Sequence, residues 1–221
     1  MPFAFLLLTR GVELFFITAL VTTSIVAVTF IVERGIALRW RKIVPQPVEG
    51  AVENYNSATD LPILRQVCHQ HPSALSRLLL VSADHLHWPR AENVDALQTR
   101  ARHEMSRLER GLVVLEIVVG IAPLLGLVGT VYGLITLFGD LSRVGLGDNA
   151  ALAKGIGIAL YTTLMGLLIA IPSLVAWSYY TKKVETLAVE METLCDEFLR
   201  RNYRREIVAE PPQLARQTVH L

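Results

Sequence analysis

Two threonines lie inside stretches of the sequence that are otherwise almost wholly apolar. Thr130 falls within the apolar run 112–138, and Thr163 falls within the run 152–180. A threonine hydroxyl in such a setting either bonds a carbonyl of its own or a neighbouring helix, or lines a wet path for ions. The residue type alone leaves both roles open, and composition by itself favours the packing role.

Glu116 is the third side chain that could take part in chemistry here. It lies beyond Arg110 by six residues, which is about 9 Å along a helix. A carboxylate at that depth is costly in lipid and tends to face a cavity or a charged partner. Glu116 precedes Thr130 by fourteen residues, so both share nearly one helical face. It either belongs to the same path as Thr130 or lies at headgroup level beside an arginine.

The apolar runs contain no Asp, Glu, Lys or His near their middle. A threonine hydroxyl donates and accepts hydrogen bonds but does not exchange its proton at ordinary pH. If this chain takes part in proton transfer, another chain therefore has to supply the titrating group.

The distribution of charge predicts the elements that position these residues. The chain has 221 residues, 52% of them hydrophobic, and its mean hydropathy is +0.42. Three runs, at about 12–32, 112–138 and 152–180, are nearly free of charge, and each exceeds the ~20 residues that a helix needs to cross a bilayer. We therefore expect an all-α integral membrane protein with three transmembrane helices. The first run lacks a basic start and a cleavage site, which favours a retained anchor over a signal peptide.

Lysines and arginines flank the predicted spans mainly on one side, whereas the short loop 139–151 holds only Arg143 against Asp140 and Asp148. Because basic residues stay on the cytoplasmic side, we expect the N-terminus outside and the C-terminus in the cytoplasm. The predicted organisation is a first transmembrane helix within 1–33, a cytoplasmic helical segment 34–110, a second transmembrane helix 111–138, a periplasmic loop 139–151, a third transmembrane helix 152–180, and a cytoplasmic helix and tail 181–221.

The cytoplasmic segment has a helical pattern. "PQP" at 45–47 is expected to end the helix that leaves the first span, and a short helix is expected over 48–56. Ser73 is predicted to cap the start of a later helix. From Arg90 the pattern continues into the second span, which predicts one long unbroken helix.

Apolar residues at helical spacing also continue beyond the inner spans. Spans two and three are therefore expected to extend into a helical cytoplasmic cap. The apolar positions are Leu97, Ala101, Met105 and Leu108 before the second span, and Val184, Leu187, Met191, Leu194 and Phe198 after the third.

Small residues recur on one face of each inner span. Helices in lipid approach closely only where side chains are small, so these positions predict tight packing of the two spans on each other or on copies of the chain. Each of two prolines also frees a carbonyl that protein or water has to satisfy. The residues are Pro123, Gly126, Gly129 and Gly133 in the second span, and Gly155, Ala159, Thr162, Gly166 and Pro172 in the third.

Other kinds of site are disfavoured. Two groups of metal-ligand residue types occur, but residues two apart on a helix point about 200° apart and cannot chelate one ion together. The groups are Cys68, His69 and His71, and Asp84, His85 and His87. Without a nucleophile elbow, phosphate loop or carboxylate pair, we expect no enzyme activity, metal or cofactor. A net charge of +1 without a basic patch disfavours nucleic acid, and the cysteines are expected as reduced thiols.

Two long motifs in the inner spans resemble the signatures of the ExbB/TolQ/MotA family of proton-channel subunits. "IAPLLGLVGTVYGLITLF" at 121–138 is similar to the family pattern A-P-x-x-G-L-x-G-T-V-x-G. "AKGIGIALYTTLMGLLIAIPSLVAWSYY" at 153–180 is similar to G-I-x-x-A-L-x-x-T-x-x-G-L-x-x-A-I-P, and "IVERGIALRW" at 31–40 to the family's exit from span one. The resemblance covers nearly the whole chain and favours the ExbB/TolQ type over flagellar stators, which typically have four spans.

The resemblance implies a homo-oligomeric ring, taken to be a pentamer, in the bacterial inner membrane, with spans two and three lining a central pore. A dimer of a single-span ExbD/TolR-like partner would lie inside and supply a membrane aspartate as the titrating group. Proton flow would drive work on the cell envelope, for example through a TonB- or TolA-like protein. Thr130 and Thr163 match the family's two pore-facing threonines, which favours the path over the packing role.

One position departs from the family pattern. Many ExbB and TolQ chains carry a glutamate five residues before the third-span threonine, where this chain has Ile158. A mechanism that needs that glutamate is therefore disfavoured, and Glu116 is the remaining acidic candidate, at the cytoplasmic end.

Two other function classes, a passive scaffold and a substrate carrier, fit the sequence less well. A passive scaffold would explain the small residues but not the matched threonines, and a substrate carrier would need an inverted repeat or a charged mid-membrane site. Nutrient uptake, outer-membrane constriction and gliding-type motion, and H⁺ or Na⁺ coupling, are all compatible with the sequence.

Overall fold

The computed structural model describes residues 2–56, 58–144 and 149–209. Asp148 of the predicted periplasmic loop and the tail from residue 210 lie outside the described residues, as do the side chains of Asp140 and Arg143. The regular structure within the described residues is entirely helical, which confirms the predicted all-α class. The helices are α1 (Pro2–Ala37), α2 (Trp40–Ile43), α3 (Gln46–Glu53), α4 (Leu61–Gln70), α5 (Ala74–Asp84), α6 (Arg90–Glu109), α7 (Leu112–Val144) and α8 (Asn149–Ala209), with a 3₁₀ turn at Ala58–Asp60.

Among the described residues, three helices are long and apolar enough to cross a membrane. Their apolar stretches are Leu14–Ala37 in α1, Leu112–Gly139 in α7 and Leu152–Tyr203 in α8. Even the shortest, at 24 residues, measures about 36 Å, against a hydrocarbon core of about 30 Å. Large apolar side chains such as Leu14 and Val175 are exposed on them, as suits a surface that faces lipid. The chain is a multi-pass membrane protein, as the sequence predicts.

The described residues group into two units. The spanning unit comprises the described parts of Met1–Ala37 and Glu109–Lys182, and the cap unit comprises those of Leu38–Leu108 and Lys183–Leu221. Helix α8 continues from one unit into the other without interruption, which confirms that the third span extends as a helix beyond its membrane length.

The core of the cap unit is built on the apolar stripe of α8. All five predicted stripe residues, from Val184 to Phe198, are buried. The ring of Tyr55 packs edge-on against Phe198 with ring centroids 5.1 Å apart, and the Tyr55 hydroxyl donates to Asn202 Oδ1 at 2.7 Å. Arg201 Nη1 donates to the carbonyls of Val52, Glu53 and Tyr55 at 2.7–3.0 Å. Among the three, the Glu53 carbonyl is the last of α3 and has no amide partner further along its own helix.

The turns of the cap unit agree only in part with the sequence. The predicted cap is confirmed, because Ser73 Oγ accepts from the Ser76 amide at 3.1 Å at the start of α5. The assignment of "PQP" as a helix end is wrong. Helix α1 already ends at Ala37, and Pro45 and Pro47 stand at the beginning of α3. Proline suits a first helical turn because the amide it lacks would have no partner there.

The predicted unbroken helix from Arg90 into the second span is also wrong. Helix α6 ends at Glu109, the chain turns at Arg110 and Gly111, and α7 begins at Leu112. A Cβ on Gly111 would lie 2.1 Å from Arg34 Nε, so the arginine side chain from α1 occupies the space that any larger residue would need. This contact joins residues far apart in the sequence, which explains why local periodicity did not predict the turn.

Candidate functional site

Helices α7 and α8 approach each other through small residues. A Cβ on Gly126 would lie 2.8 Å from the Thr162 carbonyl oxygen, and a Cβ on Gly166 would lie 2.5 Å from that of Ala122. A Cβ on Gly133 would lie 3.1 Å from Ala159 Cβ, and a Cβ on Gly155 would lie 2.5 Å from a Leu137 methyl carbon. We call this contact the α7–α8 seam. At Gly126 and Gly166 it places the two backbones directly against each other, as close packing of helices in lipid requires.

The two prolines lie within continuous helices. Pro123 is half-buried in α7, and Pro172 is exposed in α8, where it lines an apolar groove shared with α1. Ile158, at the position where the sequence departs from the family pattern, is also exposed and lines the same groove. An isoleucine suits this apolar surface, whereas a carboxylate there would need a partner from outside the groove.

Thr130 and Thr163 meet across the seam. The Thr130 side chain is buried, and its hydroxyl is hydrogen-bonded to the Thr163 hydroxyl. Thr130 Oγ1 also lies 3.1 Å from the carbonyl oxygen of Gly126 and 3.0 Å from that of Ala159 on the facing helix. Thr163 Oγ1 lies 3.2 Å from the Gly126 oxygen. The structure thus brings together two residues that lie 33 positions apart in the chain.

A third hydroxyl belongs to the same cluster. Thr162 Oγ1 lies 2.7 Å from the Ala159 oxygen, 3.2 Å from the Gly126 oxygen and 3.2 Å from Thr130 Oγ1. We call Thr130, Thr162 and Thr163 the threonine cluster. Sequence analysis placed Thr162 only among the small packing residues. The adjacent pair "TT" at 162–163 is the signal that could have suggested a shared role.

A glycine on α7 makes room for the third hydroxyl. A Cβ on Gly129 would lie 3.1 Å from Thr162 Oγ1 and 3.3 Å from Thr162 Cβ. Gly126 and Gly129 therefore have different neighbours. The backbone of α8 packs against Gly126, whereas the Thr162 side chain packs against Gly129. Both allow the hydroxyls to reach the Gly126 carbonyl.

Glu116 is not part of the cluster. Its side chain is exposed on α7 and makes no ion pair with any described residue. The fourteen residues between Glu116 and Thr130 place them about 21 Å apart along the helix axis. Within one chain, Glu116 can therefore contribute to a path only at its far end.

The two groups of metal-ligand residue types named from the sequence do not form a metal site among the described residues. Among the residues that the structure describes, no group of three His, Cys, Asp or Glu side chains could hold a metal ion. His85 Nδ1 is within hydrogen-bond distance of the Val81 carbonyl at 2.7 Å. Burial raises the pKa of the Cys68 thiol to about 11, which keeps it protonated at neutral pH, and Cys195 is a buried free thiol.

Comparison with known proteins places this arrangement in a family. Residues 73–193 match the MotA/TolQ/ExbB proton channel family, and this range includes the seam and the threonine cluster. An ExbB-like biopolymer transport protein of Synechocystis sp. is 36% identical over 168 residues, which cover 72% of this chain and 63% of the relative.

Two further relatives carry related names. An ExbB homologue of Methanothermobacter thermautotrophicus is 33% identical over 66% of this chain and 51% of its own length. The Tol-Pal system protein TolQ of Pseudomonas aeruginosa is 35% identical over 47% of this chain and 45% of its own. The chain thus spans roughly half to two thirds of the curated relatives it matches. Because the family match covers more than half of the chain, together with both seam helices, this chain belongs to the MotA/TolQ/ExbB proton channel family.

Proposed function

We propose that this chain is an inner-membrane proton-channel subunit of the ExbB/TolQ type, which couples proton flow down the proton motive force to mechanical work on the cell envelope. The observation that carries the proposal is the threonine cluster. It joins hydroxyls from two membrane-spanning helices across a seam of glycines, within the segments that match the family.

The hydroxyls in this proposal guide protons that another group carries. The spans have no carboxylate, lysine or histidine near their middle, and threonine itself does not titrate at ordinary pH. A single-span ExbD/TolR-like partner with a membrane aspartate would supply the titrating group. Thr163 is half-buried, whereas Thr130 is only 8% exposed. In this proposal the Thr163 hydroxyl donates a hydrogen bond to the partner. Within the single chain it is hydrogen-bonded to the buried Thr130 hydroxyl, which holds Thr163 in place.

The proposed assembly is a ring of copies of this chain, taken as five, around a dimer of the partner. The exposed apolar surfaces of α1, α7 and α8 are suited to contact lipid and neighbouring copies. The N-terminus would be periplasmic and the C-terminus cytoplasmic, with 34–110 and 181–221 in the cytoplasm and 139–151 in the periplasm. A TonB- or TolA-like protein would receive the work, and the role requires no enzyme activity.

The test is proton flux in liposomes that contain the complex purified from its host membranes. Native mass spectrometry of the same sample should show five copies of this chain with two copies of a small single-span protein. Changing Thr130 and Thr163 together to valine removes both hydroxyls but keeps the side-chain shape. We expect proton flux to fall at least tenfold while the assembly remains intact.

The matched control for the double variant is Thr136→Val. The Thr136 hydroxyl bonds only carbonyls of its own helix, those of Tyr132 and Gly133, so its loss should leave flux unchanged. If the double variant conducts as well as the control, the threonines serve packing alone. A passive membrane scaffold becomes the better account only if the wild-type complex passes no protons, and the observation that favours it is that all three hydroxyls find acceptors within one chain.

A further inference from the structure

The threonine cluster has more hydroxyl hydrogens than free carbonyl positions. The Gly126 oxygen lies 3.1–3.2 Å from all three hydroxyl oxygens. In helix α7 this carbonyl also accepts the Thr130 amide, four residues later. A carbonyl oxygen has two lone pairs, so one acceptor position remains for three candidate donors.

The second carbonyl in reach belongs to Ala159 of α8. It lies 2.7 Å from Thr162 Oγ1 and 3.0 Å from Thr130 Oγ1, and it accepts the Thr163 amide within the helix. It too offers one free position. The cluster therefore has two free carbonyl positions for three hydroxyl hydrogens. The third hydrogen has to point to another hydroxyl or out of the cluster.

The distances indicate how the hydrogens divide. Thr162 makes the shorter bond to the Ala159 oxygen, so it takes that position ahead of Thr130. The free position of the Gly126 carbonyl then goes to Thr130, which lies 3.1 Å from that oxygen against 3.2 Å for Thr163. Both free carbonyl positions are then taken, and the Thr163 hydrogen is left for the Thr130 oxygen or for an acceptor outside the chain.

We propose that Thr162 is a positioning residue of the proton path, which holds the Ala159 carbonyl and thereby keeps the Thr130 hydroxyl on the Gly126 carbonyl, so that Thr163 has no free carbonyl within the cluster. This inference rests on the proposed function, because the outside acceptor is the partner's carboxylate. A carboxylate accepts a hydrogen bond more strongly than the neutral Thr130 hydroxyl, the other acceptor within reach of the Thr163 hydrogen. Thr162 thus prepares Thr163 to donate without touching the partner itself.

Removing the Thr162 hydroxyl changes this order. Thr130 then donates to the vacated Ala159 carbonyl, 3.0 Å away, and frees the Gly126 carbonyl for the Thr163 hydrogen. The Thr163 hydroxyl turns inward and is lost to the partner. Thr162→Val keeps the branched shape that packs against Gly129, so it removes this bond with little change in packing.

The experiment compares Thr162→Val with Thr162→Ser in the intact complex. Proton flux into liposomes and assembly by native mass spectrometry are measured for both, beside the wild type and the Thr130, Thr163 double valine variant. Serine keeps the hydroxyl and loses the methyl group, whereas valine does the opposite. We expect flux near the wild-type value for Thr162→Ser and about tenfold lower for Thr162→Val, with assembly intact in both.

A packing role for Thr162 predicts the reverse order, with valine tolerated and serine impaired. That order, or equal flux in the two variants, would overturn the inference while the double valine variant still tests the proposed function. If the wild-type complex passes no protons, both the proposed function and this inference are overturned.

Discussion

At the scale of single residues, the membrane site consists of hydroxyls and carbonyls without any charge. The family motifs predicted Thr130 and Thr163, and the structure places them in contact. The sequence pattern grouped Thr162 with the small packing residues and did not predict that its hydroxyl would join them. Its hydroxyl reaches the cluster only because Gly129, 33 residues earlier on another helix, leaves room for it. Which hydroxyl bonds which carbonyl depends on differences of a few tenths of an ångström, and these follow from the packing of the seam.

A second residue-scale feature, in the cap unit, was missed by sequence analysis. Glu104 is 1% exposed and accepts from Arg77 Nε and Nη2 at 2.8 and 2.6 Å, with Arg100 3.0 Å away. The apolar face of α6 formed by Leu97, Ala101, Met105 and Leu108 is only half-buried, and the fully buried residues of this helix are Asn93 and Glu104. Hydrophobic periodicity cannot detect a buried carboxylate whose main partner comes from α5.

We expect Glu104→Gln to destabilise the cap unit by about 2 kcal/mol at pH 7, the order of a hydrogen bond to a charged group. Burial alone would raise the pKa of Glu104, but the Arg77 hydrogen bond and the charges of Arg77, Arg100 and Arg107 lower it overall. A lowered pKa in the folded state means that the stabilisation is complete above the unfolded value of about 4.3. It is lost as the pH falls through the folded value.

Denaturant unfolding of the purified protein, followed by circular dichroism between pH 7 and pH 3, measures this effect. The difference between wild type and Glu104→Gln should be largest at neutral pH and should shrink in acid. Glu92→Gln, at an exposed position of the same helix, should be neutral throughout. A constant difference across the pH range would show that the ionised carboxylate is not the stabilising group.

At the scale of elements, length and apolarity were enough to predict the three spanning helices and the extension of α8. The turn between α6 and α7 was not predictable, because it involves a contact between Gly111 and the Arg34 side chain of α1. The two residues are distant in sequence, and the arginine fills the space beside the glycine. The beginning of α3 was assigned wrongly, because proline is compatible both with ending a helix and with starting one. Local patterns thus determined which segments are helical, and tertiary contacts determined where several of them end.

The α7–α8 seam gives a prediction at this scale. Gly126→Ala places a methyl group 2.8 Å from the Thr162 carbonyl oxygen, and because that oxygen belongs to the backbone, the helices have to separate. We expect a loss of about 2 kcal/mol, within the usual cost of overpacking, together with loss of proton flux. The thermal stability of the detergent-solubilised complex and the liposome assay measure the two effects.

Gly120→Ala is the matched control on the same helix. An added Cβ at Gly120 meets nothing within 4 Å in this chain, and alanine favours a helix over glycine by roughly 0.5–1 kcal/mol. The control should therefore be neutral or slightly stabilising. Equal tolerance of alanine at both positions would mean that the seam is looser than described.

At the scale of the whole molecule, we propose that the chain provides a path for protons but not the group that carries them. The described spans expose apolar side chains, and three hydroxyls of α7 and α8 converge at one point of the seam. Family membership was predictable from sequence because the motifs hold glycine, proline and threonine at fixed spacing. The number of copies and the identity of the partner depend on surfaces that one chain does not specify, so they remain proposals.

The central claim is that the partner, and not this chain, supplies the titrating group. Its most direct test compares the proton flux of the chain purified alone with that of the chain purified together with its single-span partner. Both samples are reconstituted at equal protein density in liposomes with an imposed pH difference and potential. We predict that the chain alone is proton-tight and that flux appears only with the partner and its membrane aspartate. Equal flux without the partner would contradict the account, because the path would then contain its own titrating group.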